Sequence, residues 1–251
     1  MKKSILIYIL MIFLYSCDRN DALDCIQKRG DIVEETYELA VFTKIRVNRG
    51  VELMLQHGEG QNVRVKTGQN LLSDIVVEVI EGQLIISDLN HCNFVRDDNI
   101  TKAYVTSPDI EEIRCSTEYP IRSIGTLTYP KLTIFAENYQ KPDVYSVGDF
   151  NLTVDCEVLN VYSNGVSLFD IDGNARNLFV GFYSGVGRFE GKSLVADDVQ
   201  IYHNGQNDIL VNPQESLRAE IINTGHILSY NRPDSIDVTS IYHGDLIFIN
   251  D

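Results

Sequence analysis

The amino-acid sequence predicts an all-β protein, an antiparallel β-meander continuing into a parallel β-solenoid with coils of about 20 residues. Apolar and polar residues alternate at period two through most of the chain, and in its second half a glycine recurs at nearly constant intervals. The only helical signal is a single turn near Gln69-Asn70-Leu71-Leu72-Ser73-Asp74.

The meander is read over residues 31–107. Tyr37, Leu39 and Val41 alternate, as do Ile45 and Val47, then Val51, Leu53 and Leu55, then Val63 and Val65. Ile75, Val77 and Val79 follow, then Leu84 and Ile86. Turn residues at Arg49-Gly50, His57-Gly58-Glu59-Gly60 and Glu81-Gly82 separate short strands with one buried face.

The repeats are read over residues 108–251. Small or polar residues precede glycine at Asn164-Gly165, Ser184-Gly185, Asn204-Gly205, Thr224-Gly225 and His243-Gly244, at spacings of 20, 20, 20 and 19. Aligned on these glycines, the sixth position before them reads Leu159, Phe179, Val199, Ala219 and Val238, and the third reads Tyr162, Phe182, Tyr202, Ile222 and Ile241. Each unit is too short to bury its own apolar side, so stacked coils about 4.8 Å apart supply the core. An antiparallel sandwich with hairpins at each Asn-Gly is the rival fold. The recurrence of the same columns in the same sense favours the solenoid.

The N-terminus carries an export signal. Lys2 and Lys3 precede an uncharged run from Ser4 to Tyr15, too short to span a bilayer and suited to a secretory signal peptide over residues 1–16. Leu14-Tyr15-Ser16-Cys17 resembles the bacterial lipobox, which makes Cys17 the expected lipidation site and 17–30 a lipidated tether. One acyl chain binds only marginally, so two or more on Cys17 would anchor the chain to a lipid bilayer.

The formal charge is −15, and loss of Lys2 and Lys3 makes it −15 − 2 = −17. So acidic a body does not seek phosphate backbones, which excludes nucleic acid as a partner. Of five cysteines, Cys25 lies just ahead of the first strand signal and Cys92 in a polar stretch, and the two are expected to pair in an oxidising compartment. Cys115 and Cys156 fall in apolar strand patterns and are expected as buried thiols. Two coils of separation would hold them roughly 9 to 10 Å apart, beyond disulfide reach.

Several segments together resemble the head GIN-domain family, described as auto-transporter adhesins and common among Bacteroidetes lipoproteins. They are Phe42-Thr43-Lys44-Ile45-Arg46-Val47, Val51-Glu52-Leu53-Met54-Leu55-Gln56-His57-Gly58, Asn70-Leu71-Leu72 leading into Val77 to Ile86, Tyr104-Val105-Thr106-Ser107-Pro108, and the glycine-marked repeats. The resemblance implies that the 31–107 meander is an antiparallel β cap, that the solenoid is right-handed, and that the protein sits in the cell envelope. An exported, membrane-anchored lipoprotein of the outer membrane is the expected location, on its periplasmic face or at the cell surface.

No catalytic constellation emerges. The histidines His57, His91, His203, His226 and His243 show no metal-ligand spacing and read as exposed turn residues, and no cofactor is expected. Gly181-Phe182-Tyr183-Ser184-Gly185 has the wrong spacing for a nucleophile elbow. Asp170, Asp172, Glu190, Asp197, Asp198 and Asp208 are the carboxylates that a solenoid lyase or hydrolase acting on polysaccharide would use. The leading reading is instead a non-catalytic, adhesin-like envelope lipoprotein that presents a surface to a glycan or a protein. Tyr162, Asn164, Tyr183, Tyr202, Asn204 and Tyr242 are its candidate binding residues, because rings beside hydrogen-bonding groups suit such ligands. The plainer expectation is that Tyr162 and Tyr202, sharing a column with Phe182 and Ile222, pack inward. The sequence sets no oligomeric state.

Overall fold

The structure, a computed structural model, describes residues 28–90, 101–139 and 144–249. Cys17, Cys25 and Cys92 lie outside them, and so do the signal peptide and most of the tether. The early strands are β1 (Ile32–Tyr37), β2 (Lys44–Asn48), β3 (Val51–His57), β4 (Asn62–Gly68), β5 (Ile75–Ile80), β6 (Gln83–Asp88), β7 (Thr101–Ser107), β8 (Glu112–Ser116), β9 (Ile121–Leu127) and β10 (Lys131–Ala136). Four long strands follow: β11 (Phe150–Ser163), β12 (Leu168–Phe182), β13 (Arg188–His203) and β14 (Ile209–Ile221). The last are β15 (Ile227–Ser229), β16 (Ser235–Ser240) and β17 (Leu246–Phe248).

Pairing sorts these strands onto two faces around one core. The first face runs β1, β4, β7, β3, β9, then the opening parts of β11 to β14, then β15 and β17. The second runs β5, β6, β2, β8, β10, then the closing parts of β11 to β14, then β16. Each long strand crosses from one face to the other, so the sheet wraps around its own interior. Inward positions stack into columns. Leu84, Ile45, Ile113, Ile134, Val161, Val180, Ile201, Ala219 and Val238 form one on the second face. Leu53, Ile121, Phe150, Phe169, Phe189, Ile209, Ile227 and Leu246 form its counterpart, with Phe150 and Phe169 stacked at 5.0 Å. Burying such columns at about 25 cal/mol per Å² is what offsets the entropy of ordering the chain.

The antiparallel meander expected over 31–107 is corrected. Among the described residues only β1 with β4, β4 with β7 and β5 with β6 are antiparallel, whereas β2 pairs in parallel with β6 and β8, and β3 with β7 and β9. Arg49-Gly50 is a corner between faces, not a hairpin: Gly50 has φ +84, and β2 and β3 join different faces. Alternation reports which side of a strand is buried and is silent on the direction of its neighbour.

Repetition is visible in the pairing, but its period varies. Phe150 lies beside Phe169, Leu178 beside Val199, Val199 beside Leu217 and Leu217 beside Ile236, steps of 19, 21, 18 and 19. Register shifts between Asp170 and Gly173 and between Glu190 and Val195 absorb the differences. The glycines stay in step because their turns stack backbone on backbone. A Cβ on Gly185 would lie 2.2 Å from the carbonyl oxygen of Gly165, and Gly185 also has φ +86.

Cys115 and Cys156 are buried and free, and burial pushes both thiols up to about 11. His203 departs from expectation. It is fully buried, with Nδ1 accepting the Gly205 N–H at 3.3 Å and its ring edge-on to Phe182 at 6.1 Å. It follows Ile201 by two positions, so strand alternation turns it inward.

Gly185→Ala should cost more than about 1 kcal/mol and clearly more than Gly82→Ala, because Gly82 shares the positive φ but has open space around it. Urea unfolding of the two variants measures the difference. Burial lowers the His203 pKa to about 4 from the ordinary 6.5. The unfolded chain therefore takes up the proton first, so the stability associated with neutral His203 is complete above pH 6.5 and is lost as pH falls toward 4. The limiting slope is one proton, about 1.4 kcal/mol per pH unit. His203→Asn, which keeps an acceptor for Gly205, should remove that component from urea midpoints measured between pH 6.5 and 4.

Candidate functional site

The outer side of the second face carries a column of unusual composition. Arg114, Phe135, Tyr162, Gly181, Tyr202, Glu220 and Thr239 stand beside one another on successive strands. The Arg114 guanidinium lies over the Phe135 ring at 4.3 Å, and Phe135 stacks on Tyr162 at 5.0 Å with 15° between the planes. Gly181 is a missing rung. A Cβ there would lie 2.8 Å from the Phe179 ring and 3.0 Å from that of Tyr183, so its absence admits both rings. Tyr162 accordingly contacts Phe179 at 5.3 Å and Tyr183 at 6.4 Å, and Tyr183 contacts Tyr202 at 5.1 Å. The four-ring path from Phe135 to Tyr202 buries ring faces against one another and leaves ring edges and phenol groups at the surface.

Beside this path opens a cleft of about 570 Å³. Phe135, Tyr162 and Tyr183 form one wall, with Glu137, Tyr139, Asn164 and Ser184 around them. The Glu137 carboxylate is held in place: Oε1 accepts from Arg114 at 2.7 Å and Oε2 accepts the Tyr139 N–H at 2.6 Å. Arg114 is buried and lies 3.7 Å from Glu112 as well, so two carboxylates share one guanidinium. Tyr183 is 45% exposed, and partial burial with Tyr162 and Tyr202 nearby raises its phenol pKa.

Two shallower polar depressions continue along the same face. One, about 390 Å³, is lined by residues including Asn160, Phe179, Asp198, Gln200 and Ser216. The other, about 290 Å³, includes Tyr202, Glu220, Asp237 and Thr239, and Gln200 and Arg218 border both. Ser216 donates to Asp198, and Arg218 pairs with Asp237 at 3.5 Å. An apolar cleft thus grades into a hydrogen-bonding strip.

Of the six candidate binding residues, Tyr162, Asn164 and Tyr183 meet in the cleft and Tyr202 extends their ring path. The expected inward packing of Tyr162 and Tyr202 is corrected. Phe182 stands level with Ser163 and His203, facing the core, and Tyr162 is level with Gly181, facing out. Unequal steps between paired strands, hidden by equal glycine spacing, produce that offset. The amides are partly engaged. Asn164 Nδ2 donates to Asn138 Oδ1 at 2.9 Å, and Asn204 Nδ2 donates to the Tyr183 carbonyl at 3.0 Å, bracing the turn. Tyr242 does not join the path: Thr239 occupies the rung two coils beyond Tyr202, and Tyr242, 61% exposed, packs on His243 at 4.1 Å. The cleft residues missed from sequence are Phe135, Glu137 and Tyr139, which precede the regular glycines. An aromatic at the outward position between Ile134 and Ala136 is the signal that could have found Phe135.

The carboxylates weighed for hydrolysis separate. Asp170, Glu190 and Asp208 belong to the first face, where Arg188 binds Glu190 and, at 3.2 Å, Asp208, while Asp198 lies on the second. Among the described residues no group of three or more His, Cys, Asp or Glu could hold a metal ion, and no helix is long and apolar enough to cross a membrane.

Solved structures share this fold. A crystal structure of a putative adhesin from Bacteroides fragilis NCTC 9343 is 22% identical over 88% of this chain and 99% of its own, with a TM-score of 0.77. A putative adhesin from Parabacteroides merdae ATCC 43184 is 14% identical over 89% and 98%, with a TM-score of 0.60. A putative lipid binding protein from Parabacteroides distasonis ATCC 8503 is 14% identical over 88% and 98%, with a TM-score of 0.59. No curated protein matches the chain. The model of the family described as putative auto-transporter adhesin, head GIN domain, matches residues 41–233, and the chain belongs to that family.

Proposed function

We propose that this chain is a non-catalytic, adhesin-like scaffold of the cell envelope that binds a glycan along the outer strip of its second face. The observation that carries the reading is the continuity of that strip, from the aromatic cleft at Phe135, Tyr162 and Tyr183 to the polar rungs at Gln200 and Arg218. Ring faces are already occupied by one another, so the strip offers phenol, amide, carboxylate and guanidinium groups repeated about every 4.8 Å. A hydroxyl-rich polymer matches that repeat better than a compact apolar ligand does.

The unbroken parallel pairing from β11 through β14 to β16 supports a solenoid body, and the general right-handedness of parallel crossovers supports a right-handed winding. Lipid on Cys17, with a staple between Cys25 and Cys92, would anchor the scaffold at its capped end in the outer membrane. The first described residues favour this geometry, since the Lys28 carbonyl accepts from Asn70 Nδ2 at 3.0 Å and the Arg29 carbonyl accepts the Asn70 N–H at the same distance. The tether thus leaves beside β1 and β4.

Glycan-array screening of the chain, with hydrolysis assays on the same glycans, tests the proposal. Saturable binding without product is expected, and Tyr183→Ser together with Tyr162→Ala should weaken it at least tenfold while leaving the fold intact by circular dichroism. Product release without saturable binding overturns it. Mass spectrometry of the envelope-extracted protein checks the acyl groups on Cys17 and the Cys25–Cys92 bond.

A further inference from the structure

The cleft and the strip differ in how their polar groups are used. Apart from the phenols, every polar side chain lining the cleft is already engaged. Glu137 accepts from Arg114 and from the Tyr139 N–H. Asn164 and Asn138 bind each other twice, since Asn164 Nδ2 donates to Asn138 Oδ1 at 2.9 Å and the Asn138 N–H donates to Asn164 Oδ1 at 3.3 Å. Ser184 Oγ donates to the Asn164 carbonyl at 3.1 Å. Arg114 and Tyr162, on the rungs either side, occupy the faces of Phe135, and Tyr162 itself has Phe135 on one side and Tyr183 on the other. A sugar therefore finds neither a free amide nor an open ring face on that wall. What the cleft offers is hydrocarbon, whereas the strip leaves Gln200 and Glu220 exposed to solvent.

The turns beside the cleft show the same division. One backbone hydrogen bond recurs from turn to turn: the Val166 N–H donates to the Ser146 carbonyl, that of Val186 to Gly165, that of Gln206 to Gly185 and that of Gly225 to Gly205. It places Val147, Val166, Val186, Gln206 and Gly225 in one row. The three valines are exposed. Val166 and Val186 stand two residues after Asn164 and Ser184, which line the cleft, and the row turns polar at Gln206, on the first turn beyond it. A single exposed apolar residue is ordinary, but three in register about 4.8 Å apart make an apolar patch of the kind that marks a contact site.

We infer that the cleft receives an apolar substituent, an alkyl or acyl group, carried by the glycan that the strip binds, so that the ligand is amphipathic. The inference rests on the glycan reading and sharpens it. A cleft of about 570 Å³ is within the range that encloses small ligands. A hydroxyl entering it would leave water for groups whose hydrogen bonds are already made, which is unfavourable. A methylene entering it replaces water at ring edges, and full burial raises affinity about fourfold. On the strip the preference reverses. The saccharide accordingly lies along Gln200, Arg218 and Glu220, and its substituent runs back beside Tyr202 and Tyr183 to Tyr162 and Phe135.

Calorimetric titration of the full chain with methyl, butyl, hexyl and octyl β-glucoside, each below its micellar concentration, tests the inference. Affinity should rise about two- to fourfold per methylene and level off once the cleft is filled. Tyr183→Ser should flatten that dependence, Tyr183→Phe should keep it, and Val166→Ser with Val186→Ser should reduce it. Arg218→Ala should instead lower affinity by the same factor at every chain length. Octyl β-glucoside and 6-O-octanoyl glucose are compared to tell a substituent at the reducing end from one on a hydroxyl, and tighter binding of either than of methyl β-glucoside supports the inference. Affinity that does not change from methyl to octyl, or a dependence that survives Tyr183→Ser, overturns it while saturable binding on the glycan array still stands. Octanol bound as tightly as octyl β-glucoside, with nothing bound on the array, overturns the glycan reading instead.

Discussion

Parallel backbone ladders repeated at strand spacing govern the structure. Each rung must offer a residue that fits the rung above and below, which is why inward columns such as Leu53 to Leu246 are uniformly apolar. The same spacing brings turn backbones together, where Gly185 meets the Gly165 carbonyl and Gly244 the Gly225 carbonyl with no room for a side chain. Glycine is therefore kept at the turn while the strands between turns vary in length. That division between a fixed corner and elastic sides accommodates strand-to-strand steps of unequal length without breaking the core columns.

The outer surface inherits its order from that ladder. Rings that would be scattered in a globular domain become neighbours, so Phe135, Tyr162, Tyr183 and Tyr202 form one path although they span 67 positions, 202 − 135. Omitting one Cβ at Gly181 lets Phe179 and Tyr183 lean in from adjacent columns and shapes the wall of the cleft. Site and scaffold are consequently made by the same interaction. A change in coil length that shifted register by one residue would turn Tyr162 inward and send Val161 to solvent.

Much of this was legible in the sequence, and the failures share a cause. Alternation marked nearly every core position of β2, β3 and β6, and the glycines marked the stacking turns. Strand direction was not legible: Arg49-Gly50 looks like a hairpin turn and is a corner, because both uses need the same positive φ at glycine. Side-chain direction in the repeats is not legible wherever the pairing register departs from the glycine period. Phe182 shares the glycine frame of Tyr162 but the ladder position of Ser163, and no local signal distinguishes them. His203 shows a different failure, since a polar residue next to Asn-Gly reads as surface until alternation from Ile201 is followed through.

Each strand of such a ladder packs against the strand on either side, so a strand at its edge lacks one of the two neighbours. β16, which pairs only with β14 among the described residues, shows this directly: it is mostly exposed along its length, whereas the closing part of β14 beside it alternates between buried and exposed positions.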